Sequence, residues 1–408
     1  MRTTTLFNNL LRLQGVWVVG FRFEDENLVL TVRPRQRRMT CPHCGKSRSG
    51  KRAASIRRWR HLGFWGHTVW IEGPVRRFPC RPCGRVVTEQ VAWARHDSDF
   101  TRPFEDAVGL MAQSTDKTTV SRLFGIAWVT VGKIAERLVD ELLDPERLSG
   151  LRRIGVDEIS FRKRHRYLTI VTDHDTGDVV WVGEGKSSDT LKGFFQSLGS
   201  EVCGAIEIVT MDMSQAYQKA VRDSLPNATM AFDHFHIAKL ANEALSEVRR
   251  ELVREARKAD PEAAKSLKGM RWVTSYRFEN LPDKYVEQLE LLRPDSTLGR
   301  AYLLKEQLLT VLRGGSSRVL AGLESWLAWA SRSRIPQFVK LGRTIRKHFA
   351  GIVAFVQNKV SNARAEGINN KVRLLSHRAF GFHSAAPLIA TIYLCCGGVA
   401  LPEQSQLL

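Results

Sequence analysis

A chain of 408 residues is long enough for two to four domains with sizeable cores. Its 43% hydrophobic and 25% charged residues are an ordinary balance for a globular protein. The charge is not ordinary: 62 Lys and Arg against 42 Asp and Glu leave +20, and residues 1–100 alone carry 19 of the basic but only seven of the acidic residues. An excess placed this way favours a polyanionic partner whose phosphates release counterions on binding, rather than a merely solubilising basic surface. No apolar run approaches the ~20 residues of a membrane span, and Met1 to Asn8 lack a basic-then-apolar leader pattern. A membrane surface is therefore a poor candidate for the anion. Seven cysteines, four of them in two C-x-x-C pairs, point to metal ligation in a reducing cytosol rather than to a disulfide framework.

Along the chain, residues 1–35 alternate apolar and polar side chains and predict a short strand pair. Cys41-Pro42-His43-Cys44-Gly45 and Cys80-Arg81-Pro82-Cys83-Gly84 follow. Each is a tight turn that aims two thiolates at one point, with glycine relieving the backbone after the second ligand. Together Cys41, Cys44, Cys80 and Cys83 complete a closed zinc site of four cysteines. Four thiolates leave no open position, so the zinc is structural, and His43 is a turn residue rather than a ligand. Strands over Ser55–Trp59 and His67–Ile71 fill the interval between the knuckles. Arg57, Arg58, Arg60, Arg76 and Arg77, with Arg81 and Arg85, surround Trp59, Trp65 and Trp70, a mixture suited to DNA backbone contact and stacking.

Residues 101–145 predict three helices, Arg102–Gln113, Lys117–Phe124 and Trp128–Leu142. Gly125 supplies the turn of a helix-turn-helix, and Thr130 and Lys133 face outward as DNA-contact candidates. From 151 the periodicity changes. Leu151–Phe161, Arg166–Asp173 and Asp178–Gly183 read as three antiparallel strands, followed by helix Ser188–Leu198, strand Ala205–Met211, helix Ser214–Ser224 and strand Ala228–Phe232. This order is the RNase H-like α/β arrangement, which sets the first strand beside the fourth. Residues 237–350 are helical and charged. The 153 residues between Asp212 and Glu366 are too many for a loop, and they read as an all-helical insertion. Pro387–Ala400 is an apolar piece expected to pack back on the core, with Cys395 and Cys396 as buried thiols.

Three acids in this frame carry the chemistry. Asp157 lies inside the β-rich run Ile154–Phe161, Asp212 ends the apolar run Ile206–Met211, and Glu366 sits in the helix-compatible Ser361–Asn370. Acids at the ends of buried strands are expensive to desolvate unless a cation pairs with them. Two strand carboxylates and one helix carboxylate can hold two Mg²⁺ ions, which activate a water and stabilise a leaving 3′ oxygen. Strand alternation turns Glu158 to the opposite face, and Asp173 and Asp175 read as hairpin residues. Arg373, two helical turns beyond Glu366 on the same face, is placed to meet a phosphate near the metals, although a solvated basic face is the simpler reading.

The two knuckles, the Gly155-Val156-Asp157-Glu158 strand, Thr210-Met211-Asp212-Met213-Ser214, Phe232-Asp233-His234-Phe235-His236, Ser361–Asn370 with Lys371-Val372-Arg373, and the Gly381-Phe382 turn occur in one order over nearly the whole chain. In this the sequence resembles a bacterial DDE-type insertion-sequence transposase of the ISL-three family. The resemblance implies an RNase H-like core, Mg²⁺ or Mn²⁺ as catalytic cofactor, and cutting and joining of terminal inverted repeats. It also implies a soluble cytoplasmic protein at the bacterial nucleoid, acting on double-stranded DNA as a homodimer in the synaptic complex. Asp157, Asp212 and Glu366 would be the three acids. Asp233 and His236 match an Asp-or-Cys-x-x-His element of helical-insertion transposases, in which His236 contacts the scissile phosphate or orders the metal ligands; a purely structural histidine is the alternative. Arg271-Trp272 resembles a further insertion motif. The segments divide as a zinc module (1–96), a helix-turn-helix (97–148), the first part of the core (149–236), the insertion (237–350) and the final helical part of the core (351–408). A structure-specific nuclease on the same fold, or a non-catalytic zinc and helix-turn-helix regulator, are the competing readings.

Overall fold

The computed structural model describes residues 3–49, 54–162, 166–315, 318–358, 363–378 and 384–402. They form two compact units, one of residues 1–144 and 377–408 and one of residues 145–376. The first unit opens with α1 (Thr3–Leu11), a helix that the alternating pattern did not predict, and then the hairpin β1 (Val16–Glu24) and β2 (Asn27–Pro34). The short β3 (Met39–Thr40) and β4 (Ser47–Arg48) frame the first knuckle. β5 (Ala54–Phe64) and β6 (His67–Cys80) form a hairpin longer than the two expected pieces, and β7 (Arg85–Thr88) pairs back on β6 across the second knuckle. The sheet runs β1-β2-β6-β5 with β2 parallel to β6.

Trp59 belongs to the core of this sheet rather than to a stacking surface: it is buried and meets the Trp93 ring edge-on at 5.2 Å. Trp65, at the tip of the β5–β6 hairpin, is 87% exposed.

The three helices of the helix-turn-helix appear where the pattern puts them: α2 (Arg102–Ser114), α3 (Lys117–Phe124) and α4 (Trp128–Leu142). Asp116 caps α3 by accepting the Thr118 and Thr119 amides at 2.9 and 3.0 Å. Gly125, at φ 57°, ends that helix in the left-handed conformation that glycine adopts without strain. Val120, Val131, Ile134 and Leu138 pack inward with Phe104.

The second unit is built on a mixed sheet in the order β10-β9-β8-β11-β12. β8 (Arg153–Arg162), β9 (Arg166–Asp173) and β10 (Val179–Glu184) are antiparallel; β11 (Ile208–Met211) and β12 (Thr229–Phe232) run parallel to β8 and to each other. This is the RNase H-like arrangement expected of the sequence. α5 (Ser188–Ala205) extends past the expected end at Leu198 through a kink at Gly199, and it takes Ala205, the residue expected to begin the fourth strand. α6 (Gln215–Ser224) connects β11 to β12.

α7 (His234–Ala259) starts directly at β12, capped by Asp233, so the expected boundary at 236/237 falls inside a helix. The insertion continues as α8 (Pro261–Val273), α9 (Val286–Glu290), α10 (Thr297–Arg313), α11 (Val319–Arg332) and α12 (Pro336–Lys347). It shares one apolar core with the sheet: Phe194, Val209 and Tyr217 are continuous with Ala241, Leu304, Trp326 and Phe338. α13 (Phe349–Gln357) lies on β12, where a side chain in place of Gly351 would clash with the Phe232 ring. α14 (Ala363–Arg378) follows.

The last helix, α15 (Ala385–Cys396), corrects one expectation. It packs on α2 and α4, with Leu394 and Val399 in their core and Gln113 donating to the Leu394 carbonyl at 2.8 Å. The segment 351–408 is thus divided at 376/377, because the apolar face of α15 fits the open side of the helix-turn-helix rather than the sheet. Cys395 and Cys396 are buried there, as expected. The Gly381-Phe382 turn lies outside the described residues.

Candidate active site and zinc centre

The register of the second sheet positions the strand acids. Gly155 of β8 pairs with Thr210 of β11 in parallel. Asp157 and Asp212 each lie two residues beyond that pair. They therefore leave the sheet at one level and, with a side-chain period of two, on one face. Thr172 and His174 pack close over Gly155, where a Cβ would meet Thr172 Oγ1 at 2.7 Å and His174 Nε2 at 3.1 Å, and His174 Nε2 is bonded to Thr210 Oγ1 at 2.6 Å. Beyond the strand ends lies a cleft of ≈ 330 Å³ whose walls include Asp157, Asp212, His236, Lys239, Asn369 and Arg373.

Each acid is oriented locally. Asp157 Oδ1 accepts the Glu158 amide at 2.7 Å, and Asp212 Oδ1 accepts the Ser214 amide at 2.9 Å. Asn369 of α14 donates its side-chain amide to Asp157 Oδ2. Asp233 is the N-cap of α7, accepting the Phe235 amide at 2.9 Å, and its own amide bonds to the Met211 carbonyl; this puts His236, in the first turn, at the cleft wall. His234 is exposed and stacks edge-on with Phe355, a structural contact.

Burial raises the Asp157 carboxyl above its ordinary pKa; the Glu158 amide, His236 and Arg373 oppose the shift and Asp212 adds to it. Glu158 is also pushed up by burial, against Lys186, whose ammonium is 3.9 Å away. Asp173 and Asp175 are turn residues, as expected: Asp173 accepts the Asp175 amide at 2.9 Å, and Asp175 is paired with Arg153.

The sequence brings Asp157, Asp212, His236 and Arg373 to this cleft but does not single out Asn369 and Lys239, which line it, or His174, which packs beside it on Gly155 and Thr210. The signal for Asn369 was its position three residues after Glu366, on the same stripe of the helix as Arg373. Glu366 belongs to α14, and its side chain lies outside the described residues.

In the first unit the four knuckle cysteines converge so that all their sulfurs lie within 4.8 Å of one another. Cys41 and Cys83 Sγ are 3.8 Å apart, and Cys44 and Cys80 Sγ are 3.5 Å apart. Zn–S bonds of about 2.3 Å in a tetrahedron require sulfurs nearly 4 Å apart, so this donor set fits zinc. Gly45 (φ 67°) and Gly84 (φ 64°) turn the chain after each second ligand. The metal-free thiols titrate unequally. Burial raises Cys41, but the Cys44 and His43 amides together with the Cys80 and Cys44 thiols outweigh it and hold the thiol at about 7. Hydrogen bonding with Cys44 and Cys80 pushes Cys83 up to about 12. All four ionise together only around a cation.

The basic residues expected to meet DNA are placed differently from one another. Arg57 pairs with Asp99 at 2.7 Å. Arg58 bridges Glu24 and Glu72, each at 2.8 Å. Arg60 donates to the Gly125 carbonyl at 2.9 Å, and Arg76 grips Glu89. Arg77 and Lys133 are exposed and Thr130 is half-buried.

Carboxylates gathered at one level of an RNase H-like sheet, carried by a chain with a four-cysteine knuckle and a helix-turn-helix, define the DDE class of DNA transposases. Three family models match in the same order. One described as a zinc-finger of transposase IS204/IS1001/IS1096/IS1165 covers residues 37–83. The helix-turn-helix domain of transposase family ISL3 covers residues 89–139, and the ISL3 DDE transposase model covers residues 154–392. Two transposases for insertion sequence element IS1557 from Mycobacterium tuberculosis are 35% identical to this chain, over 98% of it and 96% of their own length. A transposase for insertion sequence element IS1001 from Bordetella parapertussis is 28% identical over 88% of this chain and 89% of its own. The chain belongs to the ISL3 family of transposases. Family membership entails DNA binding and divalent-metal use in strand cleavage and transfer. Among the described residues, no helix is long and apolar enough to cross a membrane.

Proposed function

We propose that this chain binds the terminal inverted repeats of its insertion sequence, cuts the DNA there with Mg²⁺ or Mn²⁺, and transfers the freed 3′ end to target DNA. The observation that carries this reading is the Gly155–Thr210 register, which delivers Asp157 and Asp212 to one side of the cleft. Their hard carboxylate oxygens suit Mg²⁺ or Mn²⁺ over softer metals. Bound there, such ions lower the pKa of an attacking water and neutralise the leaving 3′ oxygen.

The protein's own residues do the positioning. Asp157 and Asp212 are the strand ligands, and Glu366, three residues before Asn369 in the sequence of α14, is assigned as the helix ligand. Asn369 fixes the rotamer of Asp157 through its hydrogen bond. His236 and Arg373 offer donors to the scissile phosphate from opposite elements, α7 and α14. The four cysteines hold a structural Zn²⁺. Arg77, Thr130 and Lys133 meet the repeat DNA, while Arg57, Arg58, Arg60 and Arg76 shape the module through their internal pairs. Two ends must be held at once and each chain supplies one cleft, so the synaptic complex is a homodimer assembled at the nucleoid.

A plasmid carrying the element ends tests the reading, with Mg²⁺ and with wild-type and Asp212→Asn protein. Metal-dependent nicks at the ends that leave 3′-OH groups, and that disappear in the variant, are the expected result. End binding without any cut in Mg²⁺ or Mn²⁺ would transfer the assignment to a non-catalytic regulator.

A further inference from the structure

Between Glu324 and Glu366 the chain contains no acidic residue. In this interval Arg332, Arg334, Lys340, Arg343, Arg346 and Lys347 are all exposed, and none of them forms an ion pair with a described residue. Four of the six lie on α12. Lys340, Arg343 and Lys347 recur at spacings of three and four, Arg346 follows Arg343 by three, and Phe338, Leu341 and Ile345 fill the buried side. One face of a two-to-three-turn stretch is thus uniformly positive over about 10 Å of helix axis. Like charges at these spacings weaken a helix, and no neighbouring carboxylate relieves them. The contrast with Arg58 and Arg76, each clasped by glutamates, is direct.

The face matches a phosphate backbone. Duplex DNA presents one negative charge per ~1.7 Å of axis, so a 10 Å length sets about six charges against these four cations. The helix has little else to offer a base edge: its one amide, Gln337, is held by Glu251 at 2.5 Å, and its one hydroxyl, Thr344, bonds back to the Lys340 carbonyl at 3.3 Å. The C-terminal end of α12 lies beside the strand that leads to the cleft. The helix ends at His348, whose ring meets Phe232 at 5.1 Å, and Phe232 is the last residue of β12 before Asp233 and the cleft.

We propose that the outer face of α12 is a sequence-independent grip on the duplex DNA that runs to the cleft. This rests on the transposase reading for its ligand, and assigns the helical insertion a role separate from the sequence-reading helix-turn-helix.

The test uses the full-length chain and fluorescence anisotropy across a KCl series, with an element-end duplex and a random duplex of equal length. The variant Lys340→Gln/Arg343→Gln/Arg346→Gln/Lys347→Gln is compared with wild type. Loss of four phosphate contacts should make the slope of log K against log salt shallower by about 3 to 4, with equal loss of affinity for both duplexes. Arg343→Lys/Arg346→Lys, which keeps the charge, should keep the wild-type slope. An unchanged slope in the quadruple variant would make the face a solvated one and overturn the proposal. So would a loss confined to the element-end duplex, which means base reading, or an equal loss in the charge-keeping variant, which means helix damage. A wild-type chain that shows the expected slopes yet never cuts DNA would count against the catalytic reading alone.

Discussion

The cysteine knuckle and the acidic cleft both gather anionic donors, and they are built in opposite ways. In the knuckle four sulfurs close on one point, two of the cysteines are buried, and the donors come from two tight turns, one at the β3–β4 pair and one between β6 and β7. In the cleft Asp157 comes from the middle of β8 and Asp212 from just past the end of β11, the walls enclose a space of ≈ 330 Å³, and several of the facing groups are cationic. A closed tetrahedron leaves nothing for a substrate, whereas these carboxylates beside Lys239 and Arg373 leave room for a phosphate and a water. Closure serves folding, and openness serves chemistry.

That contrast predicts separable failures. The largest effect belongs to the cleft: Asp157→Asn or Glu366→Gln should lower strand cleavage by about a thousandfold or more, since several kcal/mol of transition-state stabilisation are lost. Binding of element-end DNA, read by gel shift, should stay within about twofold. Near-normal cutting by either variant would remove that residue from the metal set. Cys44→Ser or Cys83→Ser should act the other way. Metal analysis should show the zinc lost, and because such sites contribute on the order of 10 kcal/mol to folding, the knuckle should unfold. DNA affinity should fall while cleavage at saturating DNA survives; loss of cleavage with binding intact would erase the distinction between the two sites.

Asn369→Ala sharpens the comparison at a single hydrogen bond. Partners that orient a ligand are typically worth ten- to a hundredfold, so cleavage should fall by about that factor and raised Mn²⁺ should partly restore it. No change would mean that the contact to Asp157 is incidental.

The smallest effect is on stability and pH. The folded protein holds Asp157 above its ordinary pKa, so it binds the proton more tightly than the unfolded chain. This contribution to stability is therefore present in acid, below the ordinary value. It is lost as pH rises through the raised one. In chelator at neutral pH, Asp157→Asn should melt above wild type, and the gap should close as pH falls into the ordinary carboxylate range. Saturating Mg²⁺ should stabilise wild type more than the variant. A pH-independent gap would place the cause in packing rather than in ionisation.

Much of this molecule was legible in the sequence where the signal is local. The helix-turn-helix followed from apolar spacing and Gly125, and the knuckles from C-x-x-C-G. Signals failed where distant segments compete for the same residues. α5 runs on through Ala205, so the strand expected from Ala205 opens only at Ile208, and Trp59 reads as a stacking platform until the sheet folds over it. Arg58 and Arg76 look like phosphate ligands until Glu72 and Glu89 arrive from neighbouring strands. The Asn369 bond joins residues 212 positions apart, which no local pattern records.

The sequence by itself determined the kinds of chemistry: four thiolates in turns, carboxylates at the ends of apolar runs, a basic excess, and a helix pair with its turn. These are properties of short windows, fixed by backbone preference and side-chain period. Only the tertiary structure decided which groups meet. Parallel pairing of β8 with β11 levels Asp157 with Asp212, and α14 brings Asn369 and Arg373 across the cleft. The packing of α15 joins it to α2 and α4, and ion pairing engages Arg57, Arg58 and Arg76 of the zinc module while leaving the cations of α12 free among the described residues. The reason is that register and ion pairing are set by whichever distant partner buries the most apolar surface and satisfies the most charge, and that competition is settled only when the whole chain is packed.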